Sequence, residues 1–283
     1  VRAAVLPGHE PRPQQQALAA AGEAVLADRK SLLGEAGCGT GKSLAALIPA
    51  ILSGARVAYS TATIALQEQV AGKDLPFLQE NLGVPFTFAM LKGRSNYFCM
   101  AKADSADRKE NEWISAVEAE VLSDENHVGD KETIETAFPI EHWTKVSASG
   151  DEGPGKSQCK FGNACFAEKA KAKAKMSKVV VVNDALLFTD LKIREKTATE
   201  EHPEGMVAML GDFDVVIIDE AHEVEDIATS ALGDTIRRGS VERLVTDIQS
   251  FATKQGFNGD VSMIGQPALT PFFVIRDLLP TAT

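Results

Sequence analysis

The sequence lacks any apolar run near the roughly 18 residues that a membrane-spanning helix needs, so no span is expected. The apolar runs Val179–Val182 and Val215–Ile218 are short and suit buried strands. No basic-then-apolar leader follows Val1, so the chain is expected to begin inside a longer protein. A basic excess is missing too: 29 Lys and Arg face 40 Asp and Glu, a net charge of −11. Such a chain does not bind nucleic acid through its overall field, and any such contact has to come from local basic patches. Cysteine is scarce, at four residues. Without an export signal, clustered cysteines point to metal ligands or redox groups rather than disulfides. No internal repeat is visible. What is present is ordinary: 44% hydrophobic and 24% charged residues over 283 positions, enough for one large domain or two modest ones.

Periodicity orders the first third. Gln14 to Ala27 reads as a helix after Pro13, Ser31–Leu33 as a short strand, and 34–41 as a glycine-rich turn. Lys42 to Leu52 reads as a helix, Arg56–Ser60 as a strand, Thr63–Val70 as a helix and Pro85–Leu91 as a strand. Strand and helix alternating at this spacing predict a parallel sheet with right-handed crossovers. From Gly93 to Lys178 the sequence turns polar and poor in strand signals, with a Gly- and Ser-rich loop at 147–157, and it reads as an insertion. The α/β pattern resumes at Val179–Val182 and Phe213–Ile218, and after Asp226 the chain reads as helical.

Ala36-Gly37-Cys38-Gly39-Thr40-Gly41-Lys42-Ser43 fits the phosphate-loop pattern, with Ala at the first glycine position. Its glycines let successive backbone N–H groups face phosphate oxygens. Lys42 would reach the β and γ phosphates, Ser43 would offer its hydroxyl to Mg²⁺, and the following helix adds its positive end. Cys38 reads as a small filler within the loop. Further on, the strand Val215–Ile218 ends in Asp219-Glu220-Ala221-His222. A buried strand of this kind carries an Asp to the Mg²⁺ shell of P-loop enzymes, the role Asp219 fits. Glu220 would polarise the attacking water as a general base. His222 would sense the γ phosphate and couple it to a partner domain. An acidic cluster alone is usually a solvated loop; paired with the upstream phosphate loop it is specific.

With the Asp-Glu-Ala-His box and the insertion before it, the chain resembles superfamily 2 helicases of the iron–sulfur, DinG/XPD type. More residues carry the resemblance. Arg12-Pro13-Gln14-Gln15 is similar to the adenine-reading segment, which gives Arg12 and Gln15 to the base. Ser60 to Gln69 is similar to the motif that touches the tracked strand. Lys92 to Cys99 and Val181-Val182-Asn183 resemble the entrance and exit of the cysteine insertion. The resemblance implies a [4Fe–4S] cluster held by four cysteines. Cys99, Cys159 and Cys165 match, but Gly153 stands near the expected fourth position. Three thiolates leave a cluster completed by water, Asp151 or Glu152, a three-iron cluster, zinc, or a degenerate site as the readings. Asp184 also departs, standing where many relatives carry His.

Between Glu168 and Lys178 a lysine-rich helix is expected, with Lys171, Lys175 and Lys178 on one face, either tracking phosphates or simply solvated. Tyr97, Phe98, Phe161 and Phe166 read as packing around the cysteines. The expected architecture is a RecA-like α/β domain over 1–92 and 179–225, a mostly helical cysteine-bearing insertion at 93–178, and the start of a helical arch-type domain at 226–283. The resemblance implies an intracellular, nucleoid-associated DNA motor that uses ATP and Mg²⁺ and moves 5′ to 3′ on single-stranded DNA. A second RecA-like domain with its arginine fingers is not in the sequence. The chain alone is therefore expected to be near-inactive, needing the rest of a longer chain or a separate subunit. The rival readings are a non-catalytic nucleotide- or DNA-binding module and a DEAH-type RNA helicase.

Overall fold

The computed structural model describes residues 12–37, 39–148, 156–199 and 209–233, with Val245 and Ile248. In chain order the helices are α1 (Pro13–Asp28), α2 (Lys42–Leu52), α3 (Ile64–Gln69), α4 (Leu75–Asn81), α5 (Met100–Ser105), α6 (Trp113–Ser123), α7 (Phe166–Met176), α8 (Asp184–Thr197) and α9 (Val224–Leu232). The strands are β1 (Val57–Thr61), β2 (Phe88–Met90), β3 (Val179–Asn183) and β4 (Val215–Ile218). A π-helical turn, Val70–Asp74, joins α3 to α4. Compactness divides the chain after Leu232, and Gly233–Thr283 forms a second unit. Most of the expected arch-type segment lies outside the described residues. Among the described residues no helix is long and apolar enough to cross a membrane.

The four strands form one sheet in the order β2-β3-β1-β4, every pair parallel. Parallel neighbours need crossover connections, so helices cover both faces. Alternation along the strands divides the core accordingly. Val57, Tyr59, Val179 and Val181 point to one side, where they pack with Leu47, Ala50 and Ile51 of α2 and Leu75 and Leu78 of α4. Ala89, Val180 and Val182 point to the other, against Ala174 of α7 and Leu186 and Leu187 of α8. This is the two-faced layering of a doubly wound α/β domain, in agreement with a RecA-like fold. β1 is buried along its whole length, while Val216 and Ile218 of β4, at the sheet edge, are 43% and 37% exposed.

Ser31–Leu33, expected as a strand, is not one: it joins no ladder, and Leu33 is 91% exposed. Three residues cannot make a strand without a partner, and β4 pairs only with β1. Of the other expected strands, β1 is shifted one residue to end at Thr61, β3 runs one residue further to Asn183, and β2 and β4 are shorter than expected. The helix expected over Thr63–Val70 starts at Ile64 and runs on through the π turn to Asn81.

One side chain closes the sheet at the start of β1. The Arg56 guanidinium donates to the carbonyls of Ala174 at 2.9 Å, Ser177 at 3.0 Å, Leu210 at 2.6 Å, and Asp212. It thereby caps the last turn of α7, where carbonyls have no helical partner, and holds the loop before β4. That loop has a second tether: buried Asp190 accepts from the N–H groups of Met209 and Leu210 and from Arg194 Nε at 2.7 Å.

Between β2 and β3 the insertion has its own core, built from Tyr97, Phe98, Ile114, Val117, Val121, Trp143, Val146 and Phe166. A buried cation stands at its entrance. Lys92 Nζ lies 2.6 Å from both Glu68 of α3 and Asp130 of the insertion, and the Lys92 side chain is 1% exposed. Tyr97 accepts from the Lys92 N–H at 3.1 Å, and burial pushes its phenol up to about 12. Arg94 pairs with Glu168 of α7 across the same entrance.

Candidate nucleotide site at the strand ends

Parallel α/β sheets bind ligands beyond the carboxyl ends of their strands. Here the register sets Ser60 beside Val182 and Ile218, and Thr61 beside Asn183. Asp184 and Asp219, one residue past β3 and β4, therefore flank the end of β1.

The phosphate loop arrives above this edge. Gly39 and Gly41 have φ of 73° and 81°, conformations in which a side chain would be strained. Thr40 Oγ1 donates to the Gly37 carbonyl at 2.8 Å, which tightens the turn. α1 leans on the loop from outside: Arg12 Nη1 donates to the Gly39 carbonyl at 2.6 Å and Gln15 Nε2 to the Gly41 carbonyl at 3.1 Å. Arg12 and Gln15 thus sit against the loop. Cys38 lies outside the described residues. α2 starts at Lys42, so its unpaired N–H groups and positive end open at the loop.

The two distant motifs meet. Lys42 Nζ is 3.3 Å from Glu220 Oε1, with both side chains partly exposed. Asp219 Oδ2 accepts from Tyr59 Oη at 2.9 Å, and the Asp219 N–H donates to the Ser60 carbonyl at 2.9 Å. The Tyr59 phenol is held far above its ordinary range, by burial first and by the Asp219 charge second; a hydrogen bond with Ser43 works the other way. Ser43 and Asp219 are therefore joined through one buried tyrosine. Glu220 has φ of 54°, in the left-handed region, which turns its carboxylate away from the strand direction and back to Lys42. His222 is 70% exposed, its Nδ1 3.5 Å from Glu220 and its Nε2 3.5 Å from Glu223.

Two residues of this neighbourhood, Tyr59 and Asp74, escaped sequence reasoning, and Asp184 stood out there only as a departure from the relatives. Tyr59 read only as a strand residue. Asp74 sits in the π turn, and burial raises its carboxyl, with Lys73 opposing and Asp219 adding to the rise. Asp184 is wholly buried against Ser60. A π turn inside a helix often marks a functional position, but nothing in the local sequence announces it.

The segment similar to a strand-tracking motif is firmly seated. Thr63 caps α3 by accepting from Leu66, and buried Gln67 donates to the Leu91 and Val181 carbonyls at 2.7 and 2.9 Å. The lysine face is smaller than expected. α7 ends at Met176, so Lys178 lies off the helix and donates its N–H to Thr87 at 3.0 Å. Lys171 stands 3.5 Å from Glu168, which leaves Lys169, Lys173 and Lys175 exposed.

Cys99, Cys159 and Cys165 are partly buried free thiols. Among the described residues no three His, Cys, Asp or Glu side chains converge to hold a metal ion. Gly153, Asp151 and Glu152 lie outside the described residues. The three cysteines are one thiolate short of a four-thiolate cluster. The donor set at the strand ends does fit a Mg²⁺–nucleotide: a hydroxyl, a carboxylate, a lysine and a glycine loop at the start of a helix.

No protein-family model matches the chain. It is 33% identical over 252 residues to the ATP-dependent DNA helicase YoaA of Escherichia coli (strain K12), covering 87% of this chain and 38% of that protein. It is 35% identical over 256 residues to the ATP-dependent helicase DinG of Mycobacterium tuberculosis (strain H37Rv), covering 81% of this chain and 37% of that protein. The 3′-5′ exonuclease DinG of Bacillus subtilis (strain 168) is 32% identical over 261 residues, 88% of this chain and 26% of that protein. The chain thus spans well under half the length of these relatives.

Proposed function

The chain belongs to the DinG-type helicase family, and on that premise we propose that it supplies the ATP-binding lobe of a DNA helicase motor. One observation carries this reading. Lys42 of the phosphate loop and Glu220 of the acidic box, 178 residues apart in sequence, lie within 3.3 Å of each other.

In this proposal Lys42 holds the β and γ phosphates against the N–H groups of residues 37–43. Ser43 and Asp219 hold Mg²⁺, which when bound neutralises charge on the phosphate oxygens. Tyr59 keeps Asp219 and Ser43 in register. Glu220 orients the attacking water and accepts its proton. Arg12 and Gln15 read the adenine, and His222 passes the state of the γ phosphate to a partner lobe. Single-stranded DNA runs over Ser60 to Gln69 and the exposed lysines of α7, with 5′ to 3′ polarity. The lobe comprises 1–92 and 179–225, the insertion 93–178, and an arch-type domain begins near 226. A second RecA-like domain, in the same chain or another subunit, brings the arginine finger, which is worth about 10³–10⁵ in rate. Without it these 283 residues hydrolyse ATP very slowly. The motor works inside the cell, on the nucleoid. No step here is routed through an iron–sulfur cluster, since Cys99, Cys159 and Cys165 are one short of four thiolates.

Calorimetry with ADP and Mg²⁺ tests the assignment. Lys42→Ala removes a charge-assisted contact and is expected to lose about 1.5–3 kcal/mol of binding. Equal affinity in wild type and variant would sink the proposal.

A further inference from the structure

One buried carboxyl at the strand ends has no role in the scheme above. Asp184 opens α8 and is 0% exposed. Its Oδ1 accepts from Ser60 Oγ, and its Oδ2 has no hydrogen-bond partner. Burying a carboxyl that is only half bonded is costly, and such groups call for an explanation. Helix capping does not supply one, because the preceding Asn183 already caps α8 by accepting the Leu186 N–H at 2.9 Å. Packing does not supply one either, since an apolar side chain would fill the space without the cost.

The surroundings supply a reason. Ser60 is itself fully buried, and its two polar groups face two directions. Its hydroxyl donates to Asp184, and its carbonyl accepts the Asp219 N–H at 2.9 Å. Asp184, Ser60 and Asp219 are thus successive links across the ends of β3, β1 and β4. Asp219 is close enough to act on Asp184 electrostatically: burial raises the Asp184 carboxyl most, the Ser60 bond opposes this, and the Asp219 charge adds to it. Such strained or under-bonded groups persist where the surrounding structure holds them for function.

We propose that Asp184 is a positioning residue for the Mg²⁺–nucleotide site, fixing through Ser60 the strand end from which Asp219 projects. The inference rests on the nucleotide reading given above. Groups that orient a metal ligand from behind typically change metal affinity by about 10–100-fold when removed. The effect should therefore appear in the Mg²⁺-dependent part of binding, not in binding as a whole.

The experiment measures ADP affinity of the 283-residue chain by calorimetry, with Mg²⁺ and with EDTA, alongside thermal unfolding. Asp184→Ala is expected to weaken ADP binding by about 10-fold in Mg²⁺ and to leave it unchanged in EDTA, with no fall in Tm. Asp184→Asn keeps an acceptor for Ser60 and is expected to restore wild-type behaviour. Ser60→Ala should copy the Mg²⁺-dependent loss of Asp184→Ala, and the double variant should show no additional loss of that kind. Equal loss with and without Mg²⁺, a loss that comes with a lower Tm, no loss at all, or an Asn variant as impaired as the Ala one would each overturn the inference. Wild-type chain that fails to bind ADP, or that binds no better than Lys42→Ala, would instead overturn the nucleotide site itself.

Discussion

At the strand ends, polar groups hold one another: Lys42 with Glu220, Tyr59 with Asp219, Ser60 with Asp184, Arg12 and Gln15 with the loop carbonyls. The backbone there takes left-handed turns at Gly39, Gly41 and Glu220, and one buried carboxyl oxygen is left without a partner. In the insertion the weight lies elsewhere. Aromatic and branched side chains make a core, and its entrance is held by ion pairs, Lys92 between Glu68 and Asp130 and Arg94 with Glu168. The first region sacrifices local comfort to gather reactive groups. The second is organised for stability and gathers no metal-ligating set among its described residues. A polar region with left-handed turns and a packed apolar one leave different marks on backbone and burial.

Both tryptophans of the sequence, Trp113 and Trp143, sit in the insertion, so tryptophan emission reports on it and ADP calorimetry reports on the strand ends. The contrast breaks most readily at the entrance. Lys92→Met strands Asp130, whose side chain is 4% exposed, as an unpaired buried charge. The expected loss in urea unfolding is about 3–5 kcal/mol. A change below the error of the measurement would mean the pair does not hold the insertion.

Inside the core, Ile114→Ala deletes a fully buried side chain and is expected to cost about 2–5 kcal/mol. ADP affinity should stay at the wild-type level under folding conditions. A parallel fall in ADP affinity would show that the two regions fold and bind as one.

The reverse case is Gly41→Ala. The residue has φ of 81°, and a Cβ there would run into the Gln15 side chain. The left-handed conformation alone costs about 1–2 kcal/mol for a side-chain residue. The variant should lose ADP binding while its tryptophan emission stays native; retained binding would show that the loop tolerates another path.

How much of this was legible beforehand follows the range of the interactions. α2, β3 and β4 were readable because their apolar runs and bounding residues are local. The loop and the Asp219–His222 box were readable because their chemistry needs fixed spacing. Ser31–Leu33 was misjudged because a strand exists only with a neighbour, and none pairs there. Lys178 was misplaced because α7 stops at Met176, where Arg56 takes its carbonyls. Tyr59, Asp74, Asp184 and Lys92 owe their environments to partners up to 160 residues away, which no window of sequence contains.

The smallest effect belongs to the thiols. Cys159→Ser alters a partly exposed side chain outside the insertion core, and its effect on stability should stay within about 0.5 kcal/mol. Protein purified without oxygen should carry less than stoichiometric iron. Iron and sulfide in equal, stoichiometric amounts would reverse that reading and make the insertion a cofactor domain.

Arg56 has a consequence for the order of assembly. Its side-chain partners lie 118 to 156 residues further along the chain, and β1 itself pairs with strands that begin at Val179 and Val215. During synthesis β1 and the apolar face of α2 emerge early and have to wait for both partners. Contacts of such sequence separation form slowly, because a long loop is closed before any reward is gained. The insertion can complete its own core during that wait, since its residues are close together in sequence. β1, inside the sheet, is thus the first of the described strands to be made and among the last to be satisfied. Until Leu210 and Asp212 leave the ribosome, the nascent chain exposes an unpaired apolar strand of the kind chaperones recognise.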